Sequence, residues 1–254
     1  VELLRAWFAG RGYATHRHDT YAIGVTESGV EVFDYRGRVE RATAGQVVVL
    51  HPDEAHDGRA GSAGGFGYRI VYVEPARIAA AVAAIRGRAA PLPFVREPVS
   101  RTPTLVRAVT AAFRLPAEPL ALDGLVLRLA EGLLEGDPGS HAAAPPRLDH
   151  AALERARALL DGRRDVVRSA ELEAVTGLTR YELARQFRAR FGTSPYRYSL
   201  MRRLDFARAG LRAGVPLADL ALAAGFADQA HFTRAFRSTL GVTPGRYATL
   251  HARS

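Results

Sequence analysis

Leu183-Ala-Arg185-Gln-Phe187-Arg188-Ala-Arg-Phe191-Gly192-Thr-Ser-Pro195-Tyr-Arg197-Tyr198 is written a second time as Phe232-Thr-Arg234-Ala-Phe236-Arg237-Ser-Thr-Leu240-Gly241-Val-Thr-Pro244-Gly-Arg246-Tyr247. Matched positions differ by 49 throughout. In each copy apolar residues recur at i, i+4 and i+8: Leu183, Phe187 and Phe191, then Phe232, Phe236 and Leu240. That spacing predicts a helix with one buried face. Two copies are too few for a solenoid, which needs at least ~3 repeats. Two related helical subdomains joined by a connecting helix fit better.

Each copy has the grammar of a helix-turn-helix. In the first, Ser169 is expected to cap a short helix through Val175, and Gly177 supplies the turn. Thr179 and Glu182 form a capping box for the next helix, and Gly192 stops it. In the second, Pro216 opens a helix running to Ala224, Gly225 turns the chain, and Asp228 caps the helix that Gly241 ends. The face away from the apolar stripe is predicted to show Arg180, Tyr181, Ala184, Arg185 and Arg188 in the first copy. The second shows Gln229, Ala230, Thr233, Arg234 and Arg237, with His231 beside them. Arg forks onto guanine or phosphate, Gln pairs with adenine, and small residues let a helix approach the groove floor. These residues are the expected DNA contacts.

Residues 148–250 resemble the DNA-binding domain of the AraC/XylS family of transcriptional regulators. The likeness rests on Gly177-Leu178-Thr179 with Leu183-x-x-x-Phe187, and on Ala221-x-x-x-Gly225-Phe226-x-x-x-x-x-Phe232-x-x-x-Phe236. Gly241-Val-Thr-Pro244-x-x-Tyr247 completes it. The resemblance implies two recognition helices in successive major-groove segments, with centres about 34 Å apart. Tyr198 to Ala213, entered through Pro195 and carrying Leu200, Leu204 and Leu211, suits the rigid spacer.

Charge agrees with this placement. The chain has 254 residues, enough for one to two domains, and a net charge of +9. Residues 148–254 hold 18 Arg against 10 acids, whereas residues 1–147 hold 17 against 16. The basic excess therefore lies with the duplicated helices, as phosphate binding requires. The absence of Cys excludes disulfides, thiolate nucleophiles and Cys-ligated zinc. No apolar run approaches the ~20 residues of a membrane span, and no secretory signal opens the chain. A cytoplasmic protein of the nucleoid is expected. The opening Val1 suggests that an initiator residue or short leader precedes it.

Residues 1 to 75 read as strands. Residues 21–26, 30–35, 39–42, 46–50 and 66–73 are β-rich, and Gly29, Arg36-Gly37, Ala44-Gly45 and Asp57-Gly58 punctuate them. Gly61-Ser-Ala-Gly64-Gly65 lacks a following Lys and helix, so it reads as a hairpin loop rather than a phosphate cradle. Many short strands with Gly turns suggest a barrel or jelly roll. His16-Arg-His18 with residues 21–29, and Gly45 through His51-Pro52 to His56, resemble the cupin-type sensor domain of the same family.

Metal cupins supply two His from an H-x-H pair, a nearby Glu and a later His. Here His16, His18 and His56 stand in comparable places, but Glu27 lies nine residues past His18 and Glu54 replaces the usual glycine. The reading is no metal, no cofactor and no catalytic residue. His16, His18, Tyr21, His51 and His56 are instead predicted to bind a small ligand. Tyr21, Phe33, Tyr35, Tyr68 and Tyr72 can line such a site or pack as core.

Residues 77–85, 102–115 and 120–134 read as amphipathic helices that either cover the barrel or resemble the family's dimerisation helices. Residues 136–146 are rich in Pro, Gly and Ala without periodicity and mark a boundary. Residues 148–160 then open the second domain, with Asp149 as cap. The expectation is an α+β chain of two domains. Residues 1–137 form a cupin-like β-barrel or jelly roll with trailing helices, and residues 138–147 form a linker. Residues 148–254 form an all-α domain with helix-turn-helix units at about 169–191 and 216–240, joined by a long helix. The function this implies is a sequence-specific transcriptional regulator controlled by a small-molecule effector. Its partners would be double-stranded promoter DNA, a second copy of itself and, for an activator, RNA polymerase, with no membrane. The alternatives are a metal-dependent cupin enzyme with an appended DNA-binding domain, and a structural DNA-binding protein whose barrel only dimerises.

Overall fold

The computed structural model describes residues 1–9, 12–116, 118–139 and 147–251. The chain divides into two compact units, Val1–Ala117 with Ala121–Arg147, and Glu118–Leu120 with Leu148–Ser254.

The first unit contains strands β1 (Glu2–Phe8), β2 (Tyr13–His16), β3 (Tyr21–Tyr35), β4 (Arg38–Thr43), β5 (Val47–Leu50), β6 (His56–Ala60), β7 (Phe66–Val73) and β8 (Val99–Ser100). Helix α1 (Pro75–Arg86) follows β7, and α2 (Pro103–Ala112) and α3 (Pro119–Glu135) follow β8. One sheet runs β1-β7-β3-β5-β8, and β2-β6-β3-β4 form the other, with every pair antiparallel. The long strand β3 belongs to both. Its first half pairs with β5 and β7, and its second half pairs with β4 and β6. Between the two sheets pack Ala22, Phe33, Tyr35, Val48, Leu50, Phe66, Tyr68 and Ile70. On the other face of β3, Tyr21, Ile23 and Val25 are buried as well, and α2 lies across β3 and β7. Both faces are covered, in keeping with the absence of a polar alternation along residues 21–25. α3 packs closely on α2, since a Cβ on Gly132 would stand 2.5 Å from Cδ2 of Leu105.

Strand boundaries depart from the sequence reading in two places. Gly29 does not end a strand. β3 continues through it, with a register shift against β7 between Thr26 and Ser28 that bends the strand from one sheet into the other. Asp57-Gly58 is not a turn either. Both lie inside β6, and a Cβ on Gly58 would sit 2.2 Å from Cζ of Tyr13, so the glycine makes room for that ring. Arg36-Gly37 does turn the chain, with positive φ at both residues between β3 and β4.

The second unit contains α4 (His150–Gly162), α5 (Ser169–Thr176), α6 (Arg180–Phe191), α7 (Pro195–Arg212), α8 (Leu217–Ala223), α9 (Gln229–Leu240) and α10 (Pro244–His251). Two cores hold it. Leu153, Leu160, Leu172, Leu183 and Phe187, with Leu120, fill the first. Leu200, Leu204, Leu220, Phe226, Phe232 and Phe236 fill the second. The stripes predicted from the duplicated stretch are the inner faces of α6 and α9. α7 begins at Pro195, the entry expected from the sequence, with Ser194 as cap, and its 18 residues span about 27 Å. Ser169 does not cap α5. It is the first helical residue and is buried, and the Arg168 N–H bonds the Glu171 carboxylate at 3.0 Å instead.

Candidate DNA interface and internal cavity

The two helix-turn-helix units share a device that the repeat pattern did not reveal. The carbonyls ending the first helix of each unit have no partner within that helix. In the first unit Arg155, from α4, donates to Val175 O at 2.7 Å and Thr176 O at 3.1 Å. In the second, Arg203, from α7, donates to Ala224 O at 3.0 Å and Gly225 O at 2.6 Å. Arg203 is fully buried, lies 4.2 Å from the Phe226 ring centroid and meets the Glu118 carboxylate at 3.1 Å. The carbonyls served are 49 residues apart. Arg203 stands in helical phase with Leu200 and Ala207, a position where a charge must find partners. That phase is the signal that would have found it.

The turns fix where α6 and α9 begin. Thr179 Oγ1 accepts from Glu182 N at 3.4 Å, and Glu182 takes the Thr179 N–H at 2.9 Å, which is the predicted capping box. Asp228 Oδ1 accepts from His231 N at 2.6 Å. Gly177 and Gly225 both have positive φ. At Gly225 the chain also passes so close to Arg164 O that a Cβ would stand 1.8 Å away.

The two outer faces differ. On α9, Gln229, Ala230, Arg234 and Arg237 are exposed. Thr233 is half-buried, and the half-buried His231 ring packs edge-on against Phe226 at 5.3 Å. On α6, Tyr181 is 3% and Ala184 5% exposed, so the open face expected for this pair is absent. Ala184 precedes Phe191 by seven residues, close to two turns, and thus lies on the shoulder of the core stripe. Tyr181 carries a ring where the second copy has Ala230, and covering that ring removes apolar area from water. Arg180 is half-buried and bonds Glu173 through its N–H at 2.9 Å and through Nη2 at 3.3 Å. Arg185 and Arg188 are half-buried. Nε of Arg185 is buried without a hydrogen-bond partner among the described residues, and burial lowers its pKa.

The first unit contains a half-open cavity of about 250 Å³. Phe8, Tyr13, Tyr68 and Tyr72 supply aromatic walls, and Val48, Leu50 and Ile70 aliphatic ones. Its polar lining comes from Glu31, His16 and His56. Glu31 is 7% exposed, and burial pushes its carboxyl up to about 7 against a hydrogen bond from Thr26 Oγ1 at 3.3 Å. The sequence reading passed over Glu31. A period of two puts it on the same side of β3 as Phe33 and Tyr35, and that is the signal that would have found it.

The five residues predicted to bind ligand separate into two groups. His16, His18 and His56 come together, with ring centroids 4.4 to 6.2 Å apart. Each lies with its Nδ1 within 3.0 Å of a backbone carbonyl two residues away: Ala14, Thr20 and Glu54 in turn. His18 Nε2 is buried without a partner among the described residues. Burial lowers the pKa of His18 and His56. Among the described residues no group of three His, Cys, Asp or Glu side chains is arranged to hold a metal ion.

His51 and Tyr21 do not line this cavity. Val95 N donates to His51 Nε2 at 3.1 Å, which leaves the proton of the neutral ring on Nδ1, 3.1 Å from the Tyr35 hydroxyl. Both ring nitrogens are thus spent on the fold, and burial pulls the His51 pKa down to about 4. The Tyr21 hydroxyl donates to Pro93 O at 3.0 Å.

An antiparallel sheet domain with a lined cavity, followed by two helix-turn-helix units, defines a ligand-binding transcriptional regulator. Residues 1–130 match the model of the AraC-like ligand binding domain, and residues 172–249 match a helix-turn-helix domain model. The chain belongs to the AraC family of transcriptional regulators. It is 27% identical over 229 residues to the uncharacterized HTH-type transcriptional regulator YbfI of Bacillus subtilis, covering 86% of this chain and 81% of that one. It is 35% identical over 79 residues to the probable transcriptional regulator LumQ of Photobacterium leiognathi. That match spans 31% of this chain and about a third, 32%, of LumQ. Among solved structures, a single-substitution variant of apo ToxT from Vibrio cholerae aligns over 98% of this chain and 97% of its own, at 15% identity and a TM-score of 0.41. Family membership favours the regulator over the cupin-enzyme alternative. No helix among the described residues is long and apolar enough to cross a membrane.

Proposed function

We propose that this protein binds promoter DNA through α6 and α9 and adjusts that binding to a small molecule held in the cavity of the sheet domain. The exposed Gln229, Ala230, Arg234 and Arg237 carry the reading. They stand together on a helix whose start is pinned by Asp228, at the end of the chain that holds the positive charge. In the first unit the contacts are assigned to Arg180, Arg185 and Arg188, with Tyr181 and Ala184 setting the approach of the helix. The effector is assigned to the cavity bordered by His16 and His56, with His18 beside them. The working species is a homodimer at the cytoplasmic nucleoid, and an activator would also meet RNA polymerase.

Genome-wide footprinting followed by titration of one bound fragment against random DNA tests this. The expected result is a sequence-selective, salt-sensitive complex, because each phosphate contact releases a counterion. Equal affinity for footprinted and random fragments would overturn it.

A further inference from the structure

The cavity also says what kind of molecule it takes, an inference that rests on the sensor reading above. We propose that the effector is a small organic amine of about one ring, whose ammonium group sits on Glu31 among the rings of Phe8, Tyr13, Tyr68 and Tyr72. Phe8 lies 5.5 Å from Tyr13 and 5.9 Å from Tyr68, centroid to centroid, so these three rings adjoin along one wall. Aromatic faces carry negative potential and attract cations, most strongly where water is excluded. A buried carboxylate adds to the same sign. Thr26 Oγ1 is its hydrogen-bond donor, and among the described residues no ion pair reaches it. A buried charge without a counter-charge is costly, and a bound cation removes that cost.

An adjoining hollow has the same polarity. A second hollow shares Leu4, His16 and Tyr72 with the cavity and bears Glu2, Asp19 and Glu74. Glu74 is already met by Arg77, so Glu2 and Asp19 carry the attraction. Acidic clefts concentrate cations. Size agrees too, because a dry cavity of about 150 Å³ accepts benzene and this one holds about 250 Å³.

Calorimetry on the full chain with 2-phenylethylamine, 2-phenylethanol and phenylacetate tests the assignment. The amine is expected to bind about tenfold or more tightly than the alcohol, and phenylacetate more weakly still. Binding should also release about half a proton at pH 7, because the ammonium ionises a carboxyl that titrates near 7. The other groups facing Glu31 are the hydroxyls of Tyr13, Tyr68 and Tyr72, whose pKa values burial raises, and the His16 and His56 imidazoles. Glu31→Gln should abolish both the preference and the proton release. The comparison among the three compounds on the unaltered chain needs no variant to fold. Alcohol or phenylacetate binding as tightly as the amine, or no amine binding at millimolar concentration, overturns the amine assignment. Either compound shifting promoter affinity in the amine's place would leave the sensor reading standing. An amine that binds through Glu31 without changing promoter affinity sinks the sensor reading and keeps the ammonium site.

Discussion

Replacing Glu31 by Gln probes the interior of the sheet domain directly. In the unfolded chain the carboxyl titrates near 4.5, and in the folded chain near 7. The folded state therefore prefers the protonated form. That preference contributes stability in full below about 4.5, and the contribution is lost as pH rises through about 7. Above that range the buried carboxylate costs on the order of 3 kcal/mol relative to the solvated one. Gln has the same shape, keeps an acceptor for Thr26 and never ionises. The two proteins should have similar stability at pH 4 and diverge as pH rises, with Glu31→Gln more stable at pH 8 by about 1–3 kcal/mol, solvent relaxation taking the upper end down. His51 acts in the opposite sense. Its depressed pKa means stability present above 6.5 and lost as pH falls through about 4, but both proteins share this and it cancels in the difference. Trp7, the single Trp of the chain, lies on β1 and reports unfolding of this unit by fluorescence in urea. A stability difference that does not change with pH, or a less stable Glu31→Gln at pH 8, would refute a desolvated Glu31.

Arg234→Ala and Arg185→Ala should each weaken specific DNA binding by about 1–3 kcal/mol and relax base preference, measured by mobility shift against random competitor. Equal loss on random DNA would mark them as phosphate contacts. Thr179→Ala and Asp228→Ala each remove a cap and should cost about 1 kcal/mol of stability in urea unfolding followed by circular dichroism, with base preference unchanged. Gly177→Ala meets no atom within 4 Å and should cost about 1 kcal/mol from its positive φ alone. Gly225→Ala adds the collision with Arg164 O and should cost clearly more, so equal thermal shifts for the two would contradict that close approach.

The helical half was legible because its determinants are local. Stripe spacing, the Thr179–Glu182 box, the Asp228 cap and the glycine stops all act within a turn or two, and the 49-residue repeat states them twice. The strands between Tyr21 and Val73 were legible where alternation or β-branched runs marked them, and β1, β2 and β6 add pairings on which alternation is silent. What tertiary structure alone decided is which side chains meet. His51 and Tyr21 look like ligand residues beside His56, yet Val95 and Pro93, more than 40 residues further on, use their polar atoms. Glu31 looks like a surface charge until β3 bends and closes Tyr13, Tyr68 and Tyr72 around it. Tyr181 and Ala230 hold equivalent places in the repeat, yet one is covered and the other open. Periodicity fixes the direction a side chain leaves its own element. Burial and partnership depend on residues distant in the chain, and no local pattern carries that information.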